Sequence, residues 1–192
     1  MRRSPVTAPR ALLAGLLVLT AGCLFEPREP EPGGGPVCFE KITQENELNV
    51  FANLDGSLAC RQSQTYLEQF SEDFVYVPAP SVVAQNPALG PGGSDPWGLE
   101  EETQFVDLLF TSATDTIFSD VYDQLAPPQG STEILFEGSY SITVVETDGS
   151  EIEYSGEALI TMRQERAIWL ISRWEEDEST RPLGELKTSL VQ

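Results

Sequence analysis

The chain has 192 residues, 31 acidic against 11 basic, a net charge of −20 and no histidine. An acid surplus of that size argues against nucleic acid, whose phosphates need a basic footprint, and against electrostatic attraction to anionic lipid. The missing histidine removes the Ser-His-Asp and Cys-His catalytic schemes and the common zinc sites. The acid reads as a solvated surface. A cation-binding role is the alternative, although the sequence lacks the alternating Asp/Asn loop with a central Gly that calcium sites use.

Residues 1–22 read as a targeting segment. Arg2, Arg3 and Arg10 supply positive charge ahead of the apolar run Ala11–Leu19, which is too short to span a bilayer as a permanent helix. It ends in Leu19-Thr20-Ala21-Gly22-Cys23, which resembles the lipobox of bacterial lipoproteins, with Thr20 departing from the usual aliphatic residue. The resemblance implies cleavage before Cys23 and a diacylglycerol on its thiol. An ordinary signal peptide with a free Cys23 thiol is the alternative. Several acyl chains anchor stably where one does not. The expected address is therefore the cell envelope, lipid-anchored, and Leu24 after the anchor favours the outer membrane facing the periplasm. Beyond the leader, 8 basic residues face 31 acidic ones, a net −23.

Residues 23–37 form a Pro/Gly-rich tether behind the lipidated cysteine, and 38–192 form one domain large enough for a real core. Cys38 and Cys60 remain as a pair. In an oxidising compartment they suggest a disulfide worth about 3 kcal/mol; two free buried thiols are the alternative.

Thr43 can cap a helix to about Ala59 that turns Leu48, Phe51, Leu54 and Leu58 to one side. Ser63 can cap a shorter helix with Tyr66, Leu67 and Phe70. Phe74–Val77 reads as a strand, Ser81–Pro96 as a long loop, and Asp95-Pro96-Trp97 as the start of a helix to about Phe110 with Phe105, Leu108 and Leu109 inside. Glu100, Glu101 and Glu102 suit the positive end of that helix better than they suit a metal. A strand over Thr116–Leu125 is closed by Pro127-Pro128. Two long strands then alternate cleanly, Ile134–Val144 and Ile152–Met162. Their apolar faces match only if the loop is Thr147-Asp148-Gly149, which pairs Val144–Ile152, Ile142–Tyr154, Tyr140–Gly156, Gly138–Ala158, Phe136–Ile160 and Ile134–Met162. This predicts a type I turn with a left-handed Gly149 and a bulge. The strand Ala167–Trp174 is apolar on both sides, and Gly184–Lys187 suggests a short closing helix.

Helices, a strand, a helix, then a meander of long strands resemble the nuclear-transport-factor-2-like α+β cone, in which N-terminal helices pack on a curved antiparallel sheet. Tyr66-Leu67 with Phe70, Asp73-Phe74-Val75-Tyr76 and Trp169–Glu175 carry the likeness. A lipocalin-like barrel needs about eight strands, and the helical N-terminal third speaks against it. The cone-like pattern, the membrane tether and the missing catalytic set together point to a non-catalytic binding or interaction domain in the envelope, holding a small apolar ligand or meeting an envelope protein. Such a ligand would sit among Phe136, Tyr140, Tyr154 and Trp169. The alternative is an isomerase- or cyclase-like enzyme in which Asp73 or Asp107 acts as base and Tyr76, Tyr140 or Tyr154 as donor. No catalytic, cofactor or metal motif is present. Glu137, Glu151, Glu153 and Glu157 on the outer sheet face favour a monomer or a basic partner.

Overall fold

A computed structural model describes residues 38–125, 132–177, 179 and 181–191. The leader, Cys23, the tether and Pro127-Pro128 lie outside the described residues.

Helix α1 (Glu47–Ala59) starts later than the sequence suggests. Asn46, not Thr43, is the cap: its side chain accepts from the Asn49 amide at 3.0 Å, satisfying one of the free N–H groups of the first turn. With the helix in that phase, Val50, Phe51, Leu54 and Leu58 are buried, whereas Leu48 is 66% exposed. Helix α2 (Ser63–Leu67) ends early, and Phe70 opens strand β1 (Phe70–Val77) instead of closing a helix. The stretch read as a long loop contains helix α3 (Pro80–Gln85), with Pro80 pre-set for a first turn, and a 3-10 turn at Pro87–Leu89. Helix α4 (Leu99–Ser112) buries Glu102, Phe105, Val106 and Leu109; Leu108 is 41% exposed, because residues 102, 105, 106 and 109 define the inward stripe.

Strands β2 (Asp115–Leu125), β3 (Glu133–Val145), β4 (Glu151–Glu165) and β5 (Ile168–Glu176) follow, then helix α5 (Leu183–Val191). The five-stranded sheet runs β1-β5-β4-β3-β2 and does not close. Its ladders are antiparallel except the parallel β1–β5 edge. The β3–β4 register is the one that matching apolar faces demand, from Val144–Ile152 to Ile134–Met162. The turn closes with Gly149 N–H to Glu146 O at 3.0 Å and Glu146 N–H to Ser150 O at 2.8 Å. Gly149 has φ +84°, a left-handed conformation that costs glycine little. Opposite Gly156 the Tyr140 hydroxyl lies 2.9 Å from where a Cβ would stand, so the aromatic side chain covers the bare backbone.

Helices α1, α2 and α4 lie against the inner face, and even-numbered residues of β2 to β4 form that face. Phe51 stacks on Tyr122 with centroids 4.8 Å apart and meets Phe136 edge-on at 5.2 Å. Cys38 is bridged to Cys60 with Cα atoms 5.6 Å apart, pinning the start of the domain to the end of α1.

Candidate functional site

The inner face of the sheet, facing α4 and α5, holds two buried carboxylates, one lysine and a set of aromatic rings. Glu102 projects from the first turn of α4. Its Oε1 accepts from the Tyr66 hydroxyl at 2.5 Å and its Oε2 from Trp97 Nε1 at 2.8 Å. Lys187 of α5 donates to the same Oε2. Both side chains are fully buried, so this is an ion pair taken out of water, favourable only if its geometry and extra hydrogen bonds repay desolvation. Burial pushes the Lys187 ammonium down from its ordinary range, opposed by Glu102 and then Glu176. Burial pushes the Tyr66 phenol well up, reinforced by the Glu102 charge.

Glu176 ends β5 on the same inner face. It accepts from the Tyr140 hydroxyl and from the Leu183 and Gly184 amides at 3.0 and 3.1 Å, so it holds the start of α5. Burial raises its carboxyl above the usual range, and the Tyr140 hydrogen bond opposes that rise. The Tyr76 hydroxyl lies on the Gly184 side of this carboxylate, and burial, then the Glu176 charge, pushes its phenol well above the ordinary value. At the far end of the inner face, Asp120 and Tyr122 of β2 form a third polar group. Asp120 Oδ2 and the Tyr122 hydroxyl are buried without partners. Burial, then the nearby Asp55 charge, pushes the Asp120 carboxyl up to about 6.

Of the four residues expected to line one pocket, Phe136, Tyr140 and Tyr154 are buried and Trp169 is half-buried. Phe136 packs on Phe51, Tyr140 on Trp174, and Tyr154 under the Arg181 guanidinium. Tyr154 lines a groove of about 190 Å³ with Leu109, Val144, Ile152 and Leu186; deeper in the cone, the space lined by Leu54, Leu58, Phe118, Ile142 and Trp174 amounts to about 10 Å³. A cavity of that size holds at most one water. Asp73 is exposed and held by two hydrogen bonds from Arg163, at 2.6 and 3.1 Å. That guanidinium and the Ser71 hydroxyl keep its carboxyl below the usual range. Asp107 lies on the exposed side of α4. Neither aspartate reaches the cone.

From the sequence, Glu102 reads as a helix-end residue and Lys187 and Glu176 have no functional role, yet Glu102 and Lys187 carry positional signals. Glu102 shares the i, i+3, i+4, i+7 stripe with Phe105, Val106 and Leu109. Lys187 shares the apolar face of α5 with Leu183, Leu186 and Leu190. Glu101, beside Glu102, does act as a cap, accepting from the Gly98 amide at 2.8 Å. Among the described residues, no group of three or more His, Cys, Asp or Glu side chains is arranged to hold a metal, and no helix is long and apolar enough to cross a membrane.

No family model matches the chain and no curated protein matches it in sequence. Solved structures match it in shape. A putative scytalone dehydratase from Novosphingobium aromaticivorans is 13% identical, with a TM-score of 0.55 over 71% of this chain and 90% of its own. A conserved protein from Planctomyces limnophilus is 15% identical, with a TM-score of 0.54 over 68% and 91%. The beta subunit of a putative aromatic-ring-hydroxylating dioxygenase from N. aromaticivorans is 14% identical, with a TM-score of 0.52 over 71% and 90%. The chain therefore has the nuclear-transport-factor-2-like cone fold. At these identities the likeness is one of fold, and fold does not fix function.

Proposed function

We propose that this chain is a lipid-anchored protein of the bacterial cell envelope, held at Cys23, whose cone domain works as a non-catalytic interaction module. The observation that carries this reading is the packed centre of the cone, where the space among Leu54, Leu58, Phe118 and Ile142 is about 10 Å³, far less than the few hundred Å³ that ligand pockets need; the groove of about 190 Å³ at Tyr154 lies beside α5. Binding then falls to the outside. On the outer sheet face Ile117 and Val121 are 56% and 69% exposed; Thr143 and Ser139 stand next to them, and Glu153 and Glu157 lie one strand beyond, with Glu137 on the same face. Exposed apolar side chains rimmed by charge of one sign fit a protein partner of opposite sign. The same charge opposes self-pairing, so the lipid-free domain is a monomer in this reading. A photo-crosslinker at residue 121 in intact cells should trap one discrete partner, lost in Glu153→Lys/Glu157→Lys, whereas a crosslinker at Glu185 should not trap it. No discrete adduct at 121, or the same adduct from both positions, would contradict the reading. Intact-mass measurement of the membrane-extracted chain should show a triacylated Cys23 at its N-terminus; an unmodified Cys23 thiol would remove the anchor.

A second reading, an isomerase- or cyclase-like enzyme with an Asp/Tyr pair, is favoured by Asp120 and Tyr122, not by the aspartates first expected. A carboxyl with its pKa raised to about 6 suits a general base. Carbon-detected titration of Asp120 giving an ordinary carboxylate pKa would remove that support.

A further inference from the structure

Lys187 enters the cone as a ligand would. Its ammonium stands 4.1 Å from the Tyr76 ring centroid, 4.9 Å from that of Phe105 and 5.4 Å from that of Trp97, with the Glu102 carboxylate closing the remaining side. Ring faces attract cations through their quadrupoles, and several faces with one carboxylate make the usual cage for organic ammonium groups. The cage walls come from β1, the segment before α4, and α4 itself. Only the occupant comes from α5. The walls are also braced independently of it: Trp97 Nε1 and the Tyr66 hydroxyl both donate to Glu102, and Tyr76 and Trp97 pack edge-on at 5.9 Å.

The element that delivers the occupant is short and is held through its buried Leu183, Leu186 and Lys187 and the Glu176 grip on its first amides. Helix α5 has nine residues, too few to persist alone in water. Grooves run along both of its flanks, one of about 140 Å³ between α3 and the Pro182–Thr188 side, the other of about 190 Å³ between Leu109, Tyr154 and Leu186. A buried ion pair contributes little net stability compared with an apolar filling of the same shape.

We propose that the cone carries a binding site for an aliphatic ammonium group, formed by Tyr76, Trp97, Phe105 and Glu102, which the C-terminal helix fills in cis with Lys187 and which an external amine takes when that helix withdraws. The site is distinct from the outer sheet face and stands or falls independently of it.

The test uses the full mature chain with Lys187→Ala, which empties the cage, and n-butylammonium chloride as the probe, supplied in the wild-type arm above the millimolar effective concentration of the tethered Lys187. The expected result is a saturable rise of several degrees in Tm, absent with sodium chloride or n-butanol and absent in Lys187→Ala/Glu102→Gln. Refolding of Lys187→Ala only when butylammonium is present counts as the same result. A folded Lys187→Ala chain whose Tm follows butylammonium no further than sodium chloride overturns the proposal. If Lys187→Ala folds under neither condition, hydrogen exchange of the wild-type chain decides. Faster exchange of amides 183–191 in butylammonium than in sodium chloride supports displacement, and equal exchange overturns it.

Discussion

A fully buried ammonium survives only where a carboxylate and oriented rings replace its water, and Lys187 has both. Breaking such a pair on one side leaves a charge without a partner, which costs about 3–5 kcal/mol, whereas neutralising both sides costs far less. Lys187→Met should therefore destabilise the domain by roughly that amount in urea, and adding Glu102→Gln should restore most of it, since the amide oxygen still accepts from Tyr66 or Trp97. Equal losses in the single and double variants would mean that the pair is not coupled. Asp120 works in the opposite sense. Its native pKa of about 6 lies above its unfolded value, so the folded state holds the proton longer. Its contribution is complete at low pH and is lost as pH rises through about 4 to 6. The residue is half-buried, so screening by solvent limits the effect to about 1–2 kcal/mol. Asp120→Asn should be more stable than wild type by that amount near pH 8, with no gain near pH 3.5; a gain independent of pH would contradict it. These residues were hard to see in the sequence because a charged side chain on an apolar stripe is normally read as exposed. Glu102 sits in an acidic run that capping alone explains, and Asp120 lies in an edge strand whose alternation is weak.

At the level of elements, the β3–β4 hairpin was legible because two faces of opposite polarity allow only one register. Helix ends were less so: Thr43 and Asn46 are both competent caps, and only tertiary contact chooses between them. Thr43 instead uses its carbonyl to accept from Asn49 Nδ2 at 2.7 Å. The β4–β5 hairpin carries no turn signal at all. Its two-residue loop is Arg166-Ala167, with φ of +48° and +70°, a mirror-image turn that normally demands Asn-Gly. Left-handed conformations cost about 1–2 kcal/mol per ordinary residue. Arg166→Asn/Ala167→Gly should accordingly raise stability by about 1–2 kcal/mol with the ladder unchanged by NMR; a loss of stability would show that the Arg166 or Ala167 side chain makes contacts that outweigh the strain.

For the whole molecule, the order of helices and strands was enough to indicate the cone, since five strands behind a helical N-terminal third leave few ways to bury one apolar sheet face. The content of the cone was not legible, because filling depends on how far α5 reaches in, and α5 announces itself only through a short apolar pattern near the C-terminus. An interior closed by the chain's own C-terminal helix, with recognition moved to the outer sheet face, is the central claim. Its most direct test is a titration of the isotope-labelled wild-type domain with small neutral apolar ligands, followed through the methyl signals of Leu54, Leu58 and Ile142. The account predicts no saturable one-to-one shift of those signals while α5 stays docked. Saturable binding there, with α5 still in place, would contradict it.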